Sequence, residues 1–456
     1  MLPIVTPDEM RAIDAAAAEP VDVLIERAGA AVARAAVRML GGTYGRTVDV
    51  IVGPGNNGAD GRVAARLLAT RGVRVRMHEA ADCPDVIEGS NLVIDAAFGT
   101  GGRSGWVAPE VGDTPVLAVD IPSGVDGLTG AAGPGVLPAD RTVTFAAWKP
   151  GLLFGPGRDL AGEVQVADVG LSVERAGAYL LERSDVAASW PRRSASAHKW
   201  RAAVRVIAGS ATMPGAAALV AGGALRAGVG MVHVSSPGAE GPGQLPVEVV
   251  QRPLPATGWA DEALRSVDRF HAVVLGPGLG RNDDTAASAR FTAVNLPLPL
   301  VIDGDGLFAL AWNAAGAASL LRDRTAPTVL TPHDGEYQLL TGSLPGGDRI
   351  VAARRLAFDT RSVVLLKGPT TVVAAPSGEV MVVAAGDERL ATAGTGDVLA
   401  GIVGALLAQQ VPPFQAAALA AWVHGVAARR GPAVGLVASD LPALLPAVLH
   451  DLGVAG

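Results

Sequence analysis

A single cysteine, Cys83, stands among 456 residues. It has no partner for an intramolecular disulfide, and no metal site built from several thiolates can form. A free, buried thiol is the expectation. Aromatic residues make up 4% of the chain, so the core must rest on Ala, Val, Leu and Gly, which suits α/β architecture with close helix packing. No apolar run reaches the roughly 18 residues that a membrane-spanning helix needs, and no membrane partner is expected. Basic charge is short too: 37 Lys and Arg face 44 Asp and Glu, for a formal net charge of -7. That balance argues against a nucleic-acid partner. Met1 to Met10 contains Pro3, Asp8 and Glu9 in place of the basic-then-apolar pattern of an export signal, so a cytoplasmic protein is expected.

What the chain does have is length for two or three domains and two successive series of short apolar runs. Residues 7 to 40 carry apolar side chains near the helical period, at Met10, Ile13, Ala17, Val21, Leu24, Ile25, Ala28 and Val32. Thr47 to Val52 is a β-branched run that meets Gly53-Pro54-Gly55, and Val63 to Thr70 reads as helix. Strand, glycine-rich turn and helix in that order make a phosphate cradle. Further strands are predicted at Val73 to Met77, Leu92 to Asp95, Val116 to Asp120 and Thr142 to Ala146. They lack alternation, as strands buried on both faces of a parallel sheet do. Two of them end in aspartate, Asp95 and Asp120, where open α/β sheets bind ligands; an Asp there can also simply cap the next turn.

Trp190 to Ser196 is polar and reads as a linker, which puts the domain boundary near 190 to 197. A second series follows, with strands predicted at Val204 to Ala208, Met231 to Ser235, Ala272 to Leu275, Leu300 to Asp303, Thr328 to Thr331, Val363 to Lys367, Thr371 to Ala375 and Val380 to Ala384. Gly215 to Gly228 reads as a helix of small residues able to approach another backbone closely.

The most informative stretch is Ala391 to Gly401, A-T-A-G-T-G-D-V-L-A-G. Gly394, Thr395 and Gly396 form a turn ahead of an apolar helix, Val398 to Ala408. The unpaired N–H groups and dipole of that helix start suit a phosphate. Asp397 in the first helical turn is either a cap or a base aimed at a hydroxyl beside the phosphate, which is what phosphoryl transfer to a hydroxyl requires.

The A-G-T-G-D-V-L-A-G word resembles the anion-hole turn of ribokinase-like proteins. Together with Thr331-Pro332-His333-Asp334-Gly335-Glu336, Leu366-Lys367-Gly368 and Leu275-Gly276-Pro277-Gly278-Leu279-Gly280, it makes residues 196 to 450 similar to the ADP-dependent NAD(P)H-hydrate dehydratases. Earlier in the chain, Gly53 to Gly61 (G-P-G-N-N-G-A-D-G), Asp95 to Gly101 and Asp120 to Asp126 resemble the NAD(P)H-hydrate epimerase domain across residues 3 to 180.

The resemblance implies two domains, a Rossmann-like three-layer αβα sandwich over 1–190 and a ribokinase-like αβα domain over 196–456. The first would epimerise the C6 epimers of hydrated NADH or NADPH. The second would dehydrate the S epimer while ADP becomes AMP and phosphate. In the first site the matching substrate positions are Asn56, Asn57, Gly58, Ala59 and Asp60, read as a loop, and Gly99, Thr100, Gly101, Gly102, Arg103, Ser104 and Gly105. Asp120 matches the carboxylate for proton transfer, and Asn57, Asp95 and Ser123 match the holders of K⁺, a hard cation suited to oxygen ligands. Ala59 stands where the family usually has glycine, and its methyl group is tolerable only at negative φ.

In the second site Lys367, Gly368, Pro369, Thr370 and Thr371, with Gly394, Thr395 and Gly396, match the nucleotide positions. Ala216, Gly278, His333 and Asp397 match substrate contacts, Asp397 with a catalytic role. Glu336 falls where this fold places an acid near Mg²⁺ and phosphate. His198-Lys199-Trp200 resembles the family's H-K-G opening with Trp in place of Gly, so either the loop is rebuilt or its substrate contacts differ. Hydrated NADH or NADPH and ADP are the implied partners, and a homo-oligomer is expected. Two other readings fit the same words: a small-alcohol kinase with a regulatory first domain, and a non-catalytic scaffold. The retained Asn57, Asp95, Asp120 and Ser123 and the acidic net charge argue against the scaffold.

Overall fold

The β-branched run Thr47–Val52 is the strand from which the first half is laid out. On one face Val48, Val50 and Val52 pack under the helices Val21–Leu40 and Asn56–Ala69. Those helices meet the strand through Ala31, Val32, Ala35, Ala36, Ala64 and Leu68, all buried. On the other face Ile51 joins Val93 and Ala118. Burial on both faces is why these strands read as unbroken apolar runs. The structure, a computed structural model, describes residues 1–100, 105–174, 176–239, 245–312 and 316–454. They form two compact units, Leu2–Tyr179 and Leu180–Gly456 with Met1.

The first unit's sheet is parallel throughout, in the order Arg74–Glu79, Thr47–Val52, Leu92–Ala96, Val116–Val119, Arg141–Phe145, Glu163–Ala167. The chain leaves Thr47–Val52 toward one edge and then returns to build toward the other. Its switch point therefore lies between Thr47–Val52 and Leu92–Ala96, where such sheets open a crevice. The stretch expected as a loop, Asn56 to Asp60, is instead the start of the helix Asn56–Ala69, with Gly55 as its N-cap. Gly58 makes that possible: a Cβ there would lie 1.9 Å from the carbonyl oxygen of Gly53. Ala59, being helical, has the negative φ that its methyl group needs.

The second unit's strands run Val380–Val383, Thr371–Ala374, Val363–Leu366, Thr328–Leu330, Leu300–Ile302, Ala272–Leu275, Ala203–Ile207, Met231–Ser235, Val250–Gln251. The first three pair antiparallel and the rest parallel. The units divide at 179/180, not within 190 to 197. Leu181, Val186 and Trp190 explain this, because all three are buried in the second unit's core. The polar run around Arg192 reads as a linker only because the side chain that anchors it, Trp190, is a single residue.

The small-residue helix is Pro214–Arg226, and it crosses the helix Thr395–Ala408 at backbone distance. A Cβ on Gly401 would sit 2.1 Å from the Val220 carbonyl oxygen, and one on Gly223 would sit 2.4 Å from that of Val398. No helix among the described residues is long and apolar enough to cross a membrane. Gly401→Ala is expected to lower the stability of the second unit by about 1–3 kcal/mol through overpacking. A urea denaturation midpoint equal to that of the wild type would show that the crossing has room to spare.

Candidate active sites

In the first unit the carboxyl ends of the strands surround a cavity of about 460 Å³. Asn56, Asn57, Asp60, Gly99, Thr100 and Asp120 line it, joined by Asp14 and Lys149. Gly58 and Ala59 lie behind it in the helix, Gly105 is not part of its wall, and Gly101 to Ser104 fall outside the described residues. Asp120 follows the strand Val116–Val119 with φ 66°, and Ile121 N–H donates to Val119 O at 2.8 Å across it. Ala146, just beyond the neighbouring strand, repeats this with φ 62° and a 2.7 Å bond from Ala147 N–H to Phe145 O. Such left-handed γ-turns are strained, each costing on the order of 1–3 kcal/mol. Two side by side turn both strand exits sharply at the cavity.

Asp120 Oδ1 accepts from the Thr144 hydroxyl at 3.0 Å and from the Lys149 ammonium at 2.8 Å. Asp60 is buried without an ion pair among the described residues. Burial first, and then the charges of Asp120 and Asp14, push its carboxyl up to about 8. Burial likewise raises Asp14, against the pull of Lys149.

Behind this wall Asp95 is fully buried. Its oxygens accept from the Ser123 hydroxyl at 2.6 Å and the Ser123 amide at 2.8 Å, and burial raises its pKa. No ammonium or guanidinium pairs with it among the described residues. Both polar atoms of the Asn57 side chain are buried with no hydrogen-bond partner. An unpaired amide and a buried carboxylate without a counter-charge are a donor set suited to a monovalent cation.

In the second unit the strand ends bring Asp303, Glu336, Lys367, Gly396 and Asp397 together. Lys367 Nζ is 2.8 Å from Asp303 Oδ1 and 3.4 Å from Glu336 Oε2. Burial pulls this ammonium down, but the two carboxylates more than offset it and its pKa rises. A Cβ on Gly396 would lie 3.3 Å from Lys367 Nζ, so the glycine turn and the lysine face each other. Gly394, with φ 90°, caps the helix Thr395–Ala408, and the Thr395 hydroxyl donates to Leu390 O at 2.8 Å. Asp397 is pushed up to about 7, first by burial, then by Asp303, with Lys367 opposing and Asp305 and Glu336 adding to the rise.

Ala216 and Gly278 meet at one wall, where a Cβ on Gly278 would come 2.6 Å from that of Ala216. Gly368, Pro369 and Thr371 line a small recess with His424, while Thr370 is buried. His333 caps its own helix, Asp334–Thr341: Nδ1 accepts from Gly335 N–H at 3.0 Å and Glu336 N–H at 3.2 Å. Trp200 lies at the other end of the sheet, ahead of the strand Ala203–Ile207. It packs there against His233 and Phe270 under Arg269, away from this group of carboxylates.

Comparison with known proteins assigns both units. Residues 204–448 match the family described as NAD(P)H-hydrate dehydratase, and residues 21–86 and 77–151 match the YjeF-related protein N-terminus. The bifunctional NAD(P)H-hydrate repair enzyme Nnr of Mycobacterium tuberculosis (strain CDC 1551 / Oshkosh) is 39% identical over 445 residues, 90% of each chain. The chain belongs to the bifunctional NAD(P)H-hydrate repair enzymes. The Nnr of Moorella thermoacetica is 33% identical over 518 residues, 98% of this chain and 97% of that protein. Among solved structures, the ADP/ATP-dependent NAD(P)H-hydrate dehydratase from Bacillus subtilis, co-crystallised with ATP/Mg²⁺, is 29% identical. It covers 60% of this chain and 98% of its own, with a TM-score of 0.53. A ribokinase-like superfamily protein from Enterococcus faecalis shares the fold at 20% identity and a TM-score of 0.51, over 60% of this chain and 96% of its own.

In this repair enzyme the residues that sequence reasoning missed are Lys149, Asp14 and Thr144 in the first site and Asp303, Asp305 and His424 in the second. Lys149 carried a usable signal, as the one charged residue between Arg141 and Arg158. Asp303 carried the same strand-end signal as Asp95 and Asp120. Asp60 makes stability depend on pH. Folded, it keeps its proton to about 8, against an ordinary value of 3.8. Its contribution therefore falls as pH rises through that window. Asp60→Asn is expected to melt higher than the wild type at pH 8 and to converge with it near pH 4. Parallel melting curves across that range would contradict the buried, protonated state.

Proposed function

We propose that the first cavity interconverts the C6 epimers of hydrated NADH and NADPH, and that the second site dehydrates the S epimer with ADP as co-substrate. The observation that carries this reading is that each strand-end site holds a partly exposed carboxylate in a turn built for close ligand approach, Asp120 in one and Asp397 in the other.

C6 inversion requires a bond to C6 to be broken and remade, and it moves the proton of the C6 hydroxyl. Asp120 is the acceptor for that proton. Asn56, Asn57 and Asp60 and the Gly99–Thr100 turn hold the nucleotide. Asn57, Asp95 and Ser123 would hold K⁺, whose charge would offset the buried Asp95 carboxylate.

In the second site Asp397 takes the proton of the C6 hydroxyl as its oxygen attacks the β-phosphorus of ADP. The bond to the bridging oxygen breaks and AMP leaves. The C6–O bond then breaks with its electron pair going to phosphate, C5 loses a proton, and the ring double bond returns. The amides of Gly394 and Gly396, on either side of Thr395, receive the phosphoryl oxygens, Lys367 supplies positive charge beside them, and Gly368 to Thr371 hold the nucleotide. Mg²⁺ suits the oxygen donors near Glu336 and would supply charge to the phosphates. Ala216, Gly278 and His333 position the nicotinamide end.

The test is incubation of the full chain with both hydrate epimers and ADP, following reduced-cofactor absorbance. The wild type should recover all of it. Asp397→Asn should lose dehydration by about 10²- to 10⁴-fold while epimerisation continues. In the wild type, kcat/KM for dehydration should rise with pH through about 7, as Asp397 becomes ionised. Near-normal turnover of Asp397→Asn would remove its role as base.

Potassium is expected to support the first site only. Epimerisation in potassium-free buffer should fall and recover on adding KCl, and Asp95→Asn should lose that response. Equal rates with and without potassium would leave Asn57, Asp95 and Ser123 as a structural network.

A further inference from the structure

Lys149 takes no part in the reading above, yet it is among the most completely buried large side chains of the chain, at 1% exposure. Its three N–H groups have three acceptors. The Thr144 hydroxyl and the Phe145 carbonyl oxygen each lie at 2.8 Å, and Asp120 Oδ1 lies at 2.8 Å. Thr144 in turn donates its own proton to the same Oδ1 at 3.0 Å. One oxygen of Asp120 is thus held by two donors. The other, Oδ2, faces the Gly99 turn, 3.5 Å from where a Cβ on Gly99 would stand and on the side where the Asn57 side chain also lies.

We infer that Lys149 is a positioning residue of the epimerisation site: with Thr144 it fixes one oxygen of Asp120 so that the other is presented to the substrate as the proton acceptor. This rests on the role proposed for Asp120. An ammonium whose protons all have partners is poorly placed to give one to a ligand, whereas its charge and direction act fully on the carboxylate beside it. The backbone agrees. Left-handed turns at Asp120 and Ala146 end the two neighbouring strands, and Lys149, just beyond the second, reaches Asp120 beyond the first. The other charged groups facing this pair are Asp14, from the helix Pro7–Ala15, and Asp60, from the helix Asn56–Ala69. Three carboxylates thus share one lysine, and removing it leaves their mutual repulsion unopposed.

The experiment measures epimer interconversion in the full-length protein without nucleotide, so that the second site is silent, for Lys149→Met, Lys149→Arg, Thr144→Val and Asp120→Asn. Dehydration of the S epimer by the same preparations, with nucleotide added, reports that the rest of the chain is intact. Lys149→Met should lose kcat by about 10²-fold or more with KM nearly unchanged, and the acid limb of its pH–rate profile should move to higher pH. Lys149→Arg should recover part of the rate and return the limb toward its original place. Thr144→Val keeps the cation and removes one donor, and should lose about tenfold.

A Lys149→Met protein with wild-type kcat and an unmoved profile, beside an inactive Asp120→Asn, would overturn the inference and leave the role of Asp120 standing. An active Asp120→Asn would overturn the underlying reading instead. If Lys149→Met does not fold, Lys149→Arg and Thr144→Val decide: wild-type rates and profiles in both refute the positioning role.

Discussion

Charge imbalance governs both halves of this protein. At the carboxyl ends of its two sheets the chain gathers more carboxylates than cations: Asp14, Asp60 and Asp120 around Lys149, and Asp303, Glu336 and Asp397 around Lys367. Desolvated carboxylates in such company cannot all stay ionised. The chain resolves the conflict by pairing each lysine with some carboxylates and leaving another to hold a proton. Asp120 pairs with Lys149, and Asp303 and Glu336 pair with Lys367, while Asp60 and Asp397 are pushed toward neutrality.

The backbone serves that arrangement. Parallel strands bring their ends to one edge, so residues far apart in sequence converge without long loops. Glycines at helix–strand and helix–helix contacts let the supporting elements come close enough to bury the site from behind. Gly58 does this for the first site and Gly401 for the second.

Much of this was legible in the chain. Buried strands announce themselves as unbroken apolar runs, and most of those expected lie within a residue or two of the observed ones, as at Met231–Ser235 and Ala272–Leu275. The glycine turn at Gly394 and its helix were equally plain, because the signal is local. What was missed is what only tertiary convergence creates. Lys149 and Asp14 belong to no short motif; they matter because a strand exit and the first helix bring them to Asp120. Local polarity misled at the domain boundary, where Trp190 packs into the second unit. It misled again at Asn56 to Asp60, where glycine and asparagine suggested a loop but the need to pass close to Gly53 made a helix. The change at Trp200 left two readings open, a rebuilt loop or altered substrate contacts; in the structure Trp200 belongs to an aromatic cluster at the far end of the sheet.

The crossing of Pro214–Arg226 and Thr395–Ala408 has one more consequence. Carbonyl oxygens of each helix rest where the other has no side chain, so neither can slide or rotate without collision. The start of Thr395–Ala408 is consequently held from behind by that crossing, with its shape set in the absence of any ligand. On the proposed reading, a phosphate entering there meets little motional freedom left to quench.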